Sequence, residues 1–355
     1  MQPESQRTKD AATVPAAIIG SGKCCGAEWN KTAMHQQLLR PVVPTPGAPI
    51  ASGDVYRLLH FYSPPPNHEA PVFRVTEANG VGHKNYPCLE CRVLIRDVRH
   101  HYDSRHRPIP FILASHGFQL LRNVRRPTSA EAHDAAAPSS ASMDEEGMKK
   151  LYGDAAVRQI FEHVPGAQKV IVFDQTVRRA AATTLLNRPV RKVHIDQTPQ
   201  AAMLRAKRHL DPKDSAAVES GALRLRIINV WRPLLGPVSD HPLCMAESMS
   251  VPEDDLVAVD HVYHDRIGQT YAVRFRPPAL GAEQSHRFWY FSNMEVTDVW
   301  LIQCFDSKRD GCNRRVRCPH ASFELFESPG TGNAEGMQRE SIEVRCLVLG
   351  GDAKT

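Results

Sequence analysis

A histidine and an aspartate two residues apart, His194 and Asp196, follow the segment RPVRKV and stand directly before Thr198-Pro199. On a strand, residues two apart project from the same face, so the imidazole and the carboxylate can reach one metal ion together. Thr198 and Pro199 are typical of a helix start, which places the pair at the end of a strand. Two histidines and one carboxylate on one face are the usual ligands of a mononuclear ferrous site with open coordination positions.

The pair is weak evidence alone, because the chain contains 17 histidines. The same spacing occurs at His101 and Asp103 in a polar segment, and at His209 and Asp211. His209 and Asp211 lie at the end of a predicted helix, where residues two apart point in different directions. The alternative that His194 and Asp196 are solvated surface residues therefore stays open.

A third ligand has to come from a distant part of the chain. The downstream candidates are His241, His261, His264, His286 and His320. His320 is favoured because a strand beginning with Arg339-Glu-Ser341 follows it. Such an arginine suits the distal carboxylate of 2-oxoglutarate, and Ser341 shares its strand face. His261 and His264, with Arg274 nearby, remain the rival set.

The elements around these residues are mainly strands. LRLRIINVW (223–231) alternates with period two, which places Leu223, Leu225, Ile227, Asn229 and Trp231 on one face. The other predicted strands are 55–63, 91–99, two short pieces in 111–121, a buried one at 169–179, 269–275, 287–291, 296–305 and 341–349. Helices are predicted at 144–164 and after Thr198. This pattern indicates a mainly β fold with flanking helices, built as a sandwich or barrel.

The ends and loops give the domain organisation. Residues 1–50 are rich in Ala, Pro, Gly and polar types and predict a poorly ordered arm. Residues 51–355 are then predicted to form a single domain, with a low-complexity loop at 127–143.

Composition restricts the class of protein. The net charge of +5 is spread along the chain, which argues against a nucleic-acid-binding surface and favours small anionic partners. No apolar run reaches the roughly 18 residues of a membrane span, and the N-terminus lacks the features of a secretory signal. A cytoplasmic protein without a membrane partner is therefore expected.

The cysteines predict reduced thiols. There are nine in all, and Cys88 and Cys91 form a CxxC motif. A zinc site would need a second pair at similar spacing, which Cys312 and Cys318 do not provide.

Several separate blocks resemble the asaB hydroxylase/desaturase family, which groups gibberellin-desaturase-like fungal proteins with relatives of the cephalosporin methoxylase component. The similar blocks are LLHFYSPPP (58–66), IRDVR (95–99), HGFQLL (116–121), VFDQTVRR (172–179), VRKVHIDQTPQ (190–200), IINVWRPLLGPVSDHPLCM (227–245), HRFWYFSNME (286–295), QCFDS (303–307), PHASF (319–323) and RESIEVRCLVL (339–349). Each block is short, but they occur in family order from about residue 55 to 350.

The resemblance implies a double-stranded β-helix, the jelly-roll core of cupin-like proteins. It also implies an Fe(II)- and 2-oxoglutarate-dependent oxygenase that uses O2 to hydroxylate or desaturate a small organic molecule in fungal secondary metabolism. The family's ligand pattern maps onto His194, Asp196 and His320. Arg339 is then the 2-oxoglutarate anchor, and Arg345, on the same strand face, is the substitute.

Two other functions stay open: a cupin-type metalloenzyme that does not use 2-oxoglutarate, and a non-catalytic partner subunit with the same fold. The expected substrate-pocket residues are Asn229, Trp231, Arg232 and Tyr290. A homo- or hetero-dimer is compatible with the sequence, which does not choose between these and a monomer.

Overall fold

Strands dominate the part of the chain that the computed structural model describes. The described residues are 53–76, 82–102, 109–127, 145–182, 187–279, 285–310, 315–326 and 338–351. They belong to one unit, Val43–Thr355. The predicted arm at 1–50 and all but the first residue of the predicted loop at 127–143 lie outside the described residues, so both stay predictions.

The strands and helices of the described residues are named here in chain order. The strands are β1 Val55–Tyr62, β2 Val72–Val75, β3 Gly82–Lys84, β4 Cys88–Asp97, β5 Phe118–Leu121, β6 Lys169–Arg179, β7 His194–Ile195, β8 Leu225–Pro233, β9 Leu243–Ala246, β10 Leu256–Val262, β11 Ile267–Val273, β12 Phe288–Tyr290, β13 Val299–Asp306, β14 His320–Ser322 and β15 Glu340–Leu349. The helices are α1 Val98–His101, α2 Leu113–His116, α3 Glu145–His163, α4 Pro199–His209 and α5 Pro212–Glu219. Short 3₁₀ helices occupy Ser248–Ser250 and Glu253–Asp255.

The strands form two sheets. The major sheet has ten strands in the order β1-β4-β12-β9-β14-β7-β11-β10-β2-β3, and the minor sheet has five in the order β5-β13-β8-β15-β6. Isolated bridges join His60 of β1 to Lys192 and Tyr62 of β1 to Arg274. These bridges bring the first strand of the order back to the neighbourhood of β7 and β11, so the major sheet is curled.

The main core lies between the two sheets. The buried side chains of Trp231, Trp300 and Leu347 from the minor sheet share one cluster with Met245 and Trp289 from the major sheet. This arrangement confirms the predicted mainly β fold, and a solved relative described below confirms its class.

The outer face of the minor sheet is covered by α3. Met148 and Ile160 of this helix pack against Ile228 and Val344 of the central strands β8 and β15. Because β8 is covered on both faces, all nine of its residues are buried. The alternation predicted for 223–231 correctly places Leu225, Ile227 and Trp231 on one face, the face toward the main core. The other face is also buried, under α3.

Two local predictions were wrong. The first piece of 111–121 is the helical turn α2, which ends at Gly117 with a φ of 84°. This left-handed conformation suits glycine and closes a helix before the following strand. The strand at 169–179 forms as predicted, but most of its residues are only half-buried because β6 is the edge strand of its sheet.

The helix start after the His-x-Asp pair is confirmed. The Thr198 hydroxyl accepts a hydrogen bond from the backbone N–H of Ala201 at 3.2 Å, and Pro199 opens α4. None of the described helices combines the length and the apolar character that a membrane crossing requires.

Candidate metal centre

Two histidines that are far apart in the chain lie side by side in the major sheet. His320 at the start of β14 pairs with His194 of β7, and the centroids of their rings are 4.6 Å apart. Cross-strand partners project from the same face of a sheet. His320 also pairs with Met245, a member of the main core, so this face is the one turned toward the minor sheet.

Asp196 completes a three-residue group. Its Oδ1 atom is 3.4 Å from Nε2 of His194. Potential ligand atoms of His194, Asp196 and His320 all lie within 4.8 Å of one another. Among the described residues, this is the one such group of three or more His, Cys, Asp or Glu side chains.

The backbone sets the tautomer of both histidines. Nδ1 of His194 is 2.7 Å from the carbonyl oxygen of Lys192, and Nδ1 of His320 is 3.1 Å from that of Cys318. A carbonyl oxygen only accepts, so each Nδ1 carries the proton and each Nε2 presents its lone pair. Histidines that bind metals are usually held in this way by a carbonyl or carboxylate. The donor set therefore fits a divalent transition metal.

The electrostatics favour the ligating form of each side chain. Burial lowers the pKa of His320, which keeps the imidazole neutral, and the neighbouring His194 adds to this effect. Burial by itself would raise the pKa of Asp196. The nearby Arg345 and the contact with His194 outweigh burial, so the pKa of Asp196 lies well below its usual value. Asp196 is therefore a carboxylate at neutral pH.

Arg339 is a buried cation whose partners are all neutral. Its Nη1 donates to the His241 carbonyl oxygen at 2.6 Å and to Ser322 Oγ at 2.9 Å, and its Nε donates to Ser341 Oγ at 3.1 Å. Its guanidinium lies over the Trp231 ring, 5.1 Å from the centroid. Among the described residues no carboxylate forms an ion pair with it. Burial, with the nearby positive charge of Arg178, lowers the pKa of Arg339 to about 9.

Ser322 links Arg339 to the candidate metal ligands. It lies two residues after His320 in β14, so both side chains project from one face, roughly 7 Å apart along the strand. Because Ser322 accepts a hydrogen bond from Arg339, the Arg339 guanidinium lies at the same face of the major sheet as His320. Ser341, which also accepts from this guanidinium, lies beside it.

Arg345 has a different environment from Arg339. Its guanidinium contacts three carboxylates: Asp196, Asp174 and Glu343. The structure therefore places Arg345, the substitute anchor, against the candidate ligand Asp196, and each of its guanidinium nitrogens already contacts a carboxylate.

Two of the four predicted pocket residues lie near this group. Nδ2 of Asn229 donates to Asp196 Oδ2 at 2.6 Å, and Trp231 supports Arg339. Arg232 is on the opposite face of β8, where it donates to the Val296 carbonyl oxygen. The Tyr290 hydroxyl donates to the carbonyl oxygen of Gly53, and its ring packs in a separate cluster. The expectation of a pocket role for Arg232 and Tyr290 is corrected accordingly, since adjacent strand residues face opposite sides.

The rival histidines have other partners. His261 Nε2 is 3.0 Å from Thr270 Oγ1, and His286 Nε2 is 2.9 Å from Asp255 Oδ2. His209 stacks against Phe173, 5.8 Å between centroids. None of them belongs to the three-residue group, and neither does Cys88 or Cys91, both free thiols.

Sequence reasoning missed Glu343, Ser322 and the role of Asp174. Glu343 lies between Ser341 and Arg345 on the same face of β15, so the period-two alternation that starts at Arg339 could have identified it. No comparable signal identified Ser322 or Asp174, because their contacts come from the other sheet or the neighbouring strand.

The chain is similar to known proteins over most of its length. A family model described as an oxidoreductase/YMDC permease-like domain matches residues 59–349. An Fe(II)/2-oxoglutarate-dependent dioxygenase, nvfI, of Aspergillus novofumigatus (strain IBT 16806) is 29% identical over 290 residues, covering 80% of this chain and 92% of the relative. A hydroxylase/desaturase, efuI, of Hormonema carpetanum is 30% identical over 279 residues, covering 73% and 84%.

A solved structure extends this similarity to the fold. The iron and alpha-ketoglutarate-dependent endoperoxidase NvfI superimposes with a TM-score of 0.65 at 25% identity, covering 85% of this chain and 100% of that one. The similarity confirms the predicted jelly-roll class.

Proposed function

The chain is a member of the oxidoreductase/YMDC permease-like family and a relative of a fungal Fe(II)/2-oxoglutarate-dependent dioxygenase and a fungal hydroxylase/desaturase, and we propose that His194, Asp196 and His320 hold its iron. The protein is a 2-oxoglutarate-dependent dioxygenase that hydroxylates or desaturates a small molecule, as in fungal secondary metabolism. Its cofactor is Fe(II), and its cosubstrates are 2-oxoglutarate and O2.

One observation supports the ligand assignment most strongly. Both imidazoles have Nδ1 bound to a backbone carbonyl, and their ligand atoms converge with Asp196 within 4.8 Å. Solvated surface residues would not share this orientation. When bound, a ferrous ion with open positions supplies the activation of O2 for oxidation of a substrate C–H bond.

The residues of the chain provide position and charge. Arg339 would bind the distal carboxylate of 2-oxoglutarate, because it is a buried guanidinium that forms no ion pair with a carboxylate of the described residues. Ser341 and Ser322 hold the guanidinium in place through its Nε and Nη1 atoms. Nη2 has no hydrogen-bond partner among the described residues, which leaves it available for the ligand.

The experiment measures succinate release by purified protein with Fe(II), ascorbate and 2-oxoglutarate. Uncoupled release occurs without the substrate, so the substrate need not be known. We expect release by the wild type and none above background for His194→Ala, Asp196→Asn and His320→Ala. His264→Gln, at a rival and exposed histidine, is the control that keeps wild-type release.

The same assay, together with a measurement of the Fe(II) bound by the purified protein, distinguishes the two alternatives. A metalloenzyme that does not use 2-oxoglutarate would bind the metal and release no succinate. A non-catalytic subunit would take up no Fe(II). Retention of succinate release by the three ligand variants would contradict the proposed site.

A further inference from the structure

One oxygen of the Asp196 carboxylate is held by two side chains from the minor sheet. Nδ2 of Asn229 on β8 donates to Oδ2 at 2.6 Å, and Nε of Arg345 on β15 donates to Oδ2 at 3.0 Å. The other oxygen, Oδ1, is the one that lies 3.4 Å from Nε2 of His194. The two oxygens therefore have different environments, donors for Oδ2 and a ligand histidine for Oδ1.

The arginine that holds Oδ2 is itself fully engaged. Its Nη1 donates to Asp174 Oδ2 at 2.5 Å and to Thr176 Oγ1 at 3.1 Å, both on the edge strand β6. Its Nη2 pairs with Glu343 Oε1 at 2.6 Å. Every guanidinium nitrogen of Arg345 has a partner, so its planar group is held in one orientation.

Asn229 is fixed by the same glutamate. Its Nδ2 donates to Glu343 Oε1 at 3.0 Å as well as to Asp196. The side chain of Asn229 is fully buried in the centre of the minor sheet. Both donors to Oδ2 are thus positioned by Glu343, and water does not compete with Asn229 for its acceptors.

We propose that Asn229 and Arg345, here called the carboxylate clamp, orient Asp196 so that it binds the metal through Oδ1 alone. The inference rests on the proposed ligand set. A carboxylate that binds through one oxygen takes one coordination position, whereas a chelating carboxylate takes two. The clamp preserves the open positions that 2-oxoglutarate and O2 require. Asn229 and Arg345 are positioning residues, because they contact the side chain of Asp196 and not the metal itself.

Orientation and charge predict different results for substitutions in the clamp. Near a divalent cation, the charge of Arg345 is repulsive, so a purely electrostatic role would make metal binding depend on that charge alone. Arg345→Lys keeps the charge and removes the planar fork of donors. Asn229→Ala removes a donor without changing any charge. If the clamp acts by orienting Asp196, both variants should lose affinity for the metal. If it acts through its charge alone, both should keep the wild-type affinity.

The experiment compares the dissociation constant for Mn(II), measured from the electron paramagnetic resonance signal of the free ion. We expect Arg345→Lys and Asn229→Ala to weaken binding by about tenfold to hundredfold, the usual contribution of outer partners of metal ligands. The visible spectrum of the Co(II) form should change in both variants, because the coordination of Asp196 changes. Arg232→Lys is the matched control, a buried arginine on the other face of β8, and should leave affinity and spectrum unchanged.

Folded clamp variants with wild-type Mn(II) affinity and an unchanged Co(II) spectrum would overturn the proposal. If the ligand set itself were wrong, His194→Ala would keep the wild-type affinity, which separates the two failures. Should either variant not fold, a crystal structure of the wild type with Mn(II) decides. Binding of Asp196 through Oδ1 alone supports the clamp, and binding through Oδ2 or through both oxygens overturns it.

Discussion

Arg339 and Arg345 show at the scale of single residues how partners determine a role. Arg339 directly precedes β15 and Arg345 lies within it, six residues later and on the same face. Arg339 contacts two serines, a carbonyl oxygen and an aromatic ring, whereas Arg345 contacts three carboxylates. The charge of Arg345 is therefore neutralised within the protein, and that of Arg339 remains available to an anionic ligand.

Loss of Arg339 should weaken the binding of 2-oxoglutarate. A hydrogen bond to a charged group contributes about 1.5–3 kcal/mol, so Arg339→Gln should raise the 2-oxoglutarate concentration for half-maximal succinate release by roughly 10- to 150-fold. Arg274→Gln removes the rival arginine and should leave this concentration unchanged. An equal effect of the two substitutions would contradict the assignment of Arg339.

The sequence predicted the candidate ligands but not their supporting contacts. His194 and Asp196 could be found from strand spacing and the helix start that follows, and His320 from the Arg-x-Ser strand after it. The contact of Asp196 with Arg345 depends on how two sheets pack, which no local pattern encodes. By contrast, the outward position of Arg232 was predictable, since its neighbour Trp231 faces inward.

At the scale of elements, long strands were predicted well and short strands poorly. The predicted 341–349 and 169–179 correspond to β15 and β6 almost residue for residue. The two-residue strand β7 and the three-residue strand β14 carry the candidate ligands His194 and His320, yet each is too short for an alternation to be visible. The pairing of β7 with β14 depends on the rest of the sheet, so their proximity could be inferred only from the chemistry of their histidines.

Helix α3 should contribute stability without affecting the metal site, because it packs on the outer face of the minor sheet. Ile160 is fully buried there, while the next residue, Phe161, is half exposed. Ile160→Ala should lower the free energy of unfolding by about 2–5 kcal/mol, and Phe161→Ala by no more than about 0.5 kcal/mol. Urea unfolding measures both changes.

Mn(II) affinity of the folded Ile160→Ala protein provides the second readout for α3. We expect it to equal that of the wild type. A loss of metal affinity comparable to that of the carboxylate clamp variants would show that the helix supports the site.

The hairpin of β10 and β11 should become less stable in acid through His261. Burial lowers the pKa of His261 from 6.5 to about 4, and Lys192 adds to this effect. In the unfolded chain the histidine takes up a proton as the pH falls below 6.5, whereas the folded protein excludes that proton until about pH 4. Stability from this residue is present above pH 6.5 and is lost between pH 6.5 and 4.

Urea unfolding of the wild type and of His261→Gln between pH 8 and 4.5 tests this expectation. The stability advantage of the wild type should be constant above pH 7 and should shrink as the pH falls toward 4.5. An advantage that stays constant through this range, or grows in acid, would be inconsistent with a neutral buried His261.

At the scale of the whole molecule, the candidate site joins the two sheets. His194, Asp196 and His320 come from the major sheet and the turn after β7. The clamp residues Asn229 and Arg345 come from the minor sheet, and Arg339 directly precedes its strand β15. Between the two layers His320 is buried, and the side chains of His194 and Asp196 are only 14% and 11% exposed, which limits access of water to the candidate site. The match to the oxidoreductase/YMDC permease-like family model extends over both sheets, since it covers residues 59–349.

The central claim is that three side chains hold one ferrous ion next to the arginine that anchors 2-oxoglutarate. Anaerobic titration of the purified protein with Fe(II) and 2-oxoglutarate tests it most directly, because chelation of the iron by the keto acid produces a visible charge-transfer absorption. The wild type should develop this absorption with one iron per chain, the His320→Ala protein should not, and Arg339→Gln should require far more 2-oxoglutarate. Undiminished absorption in folded His320→Ala, or none in the wild type, would contradict the account.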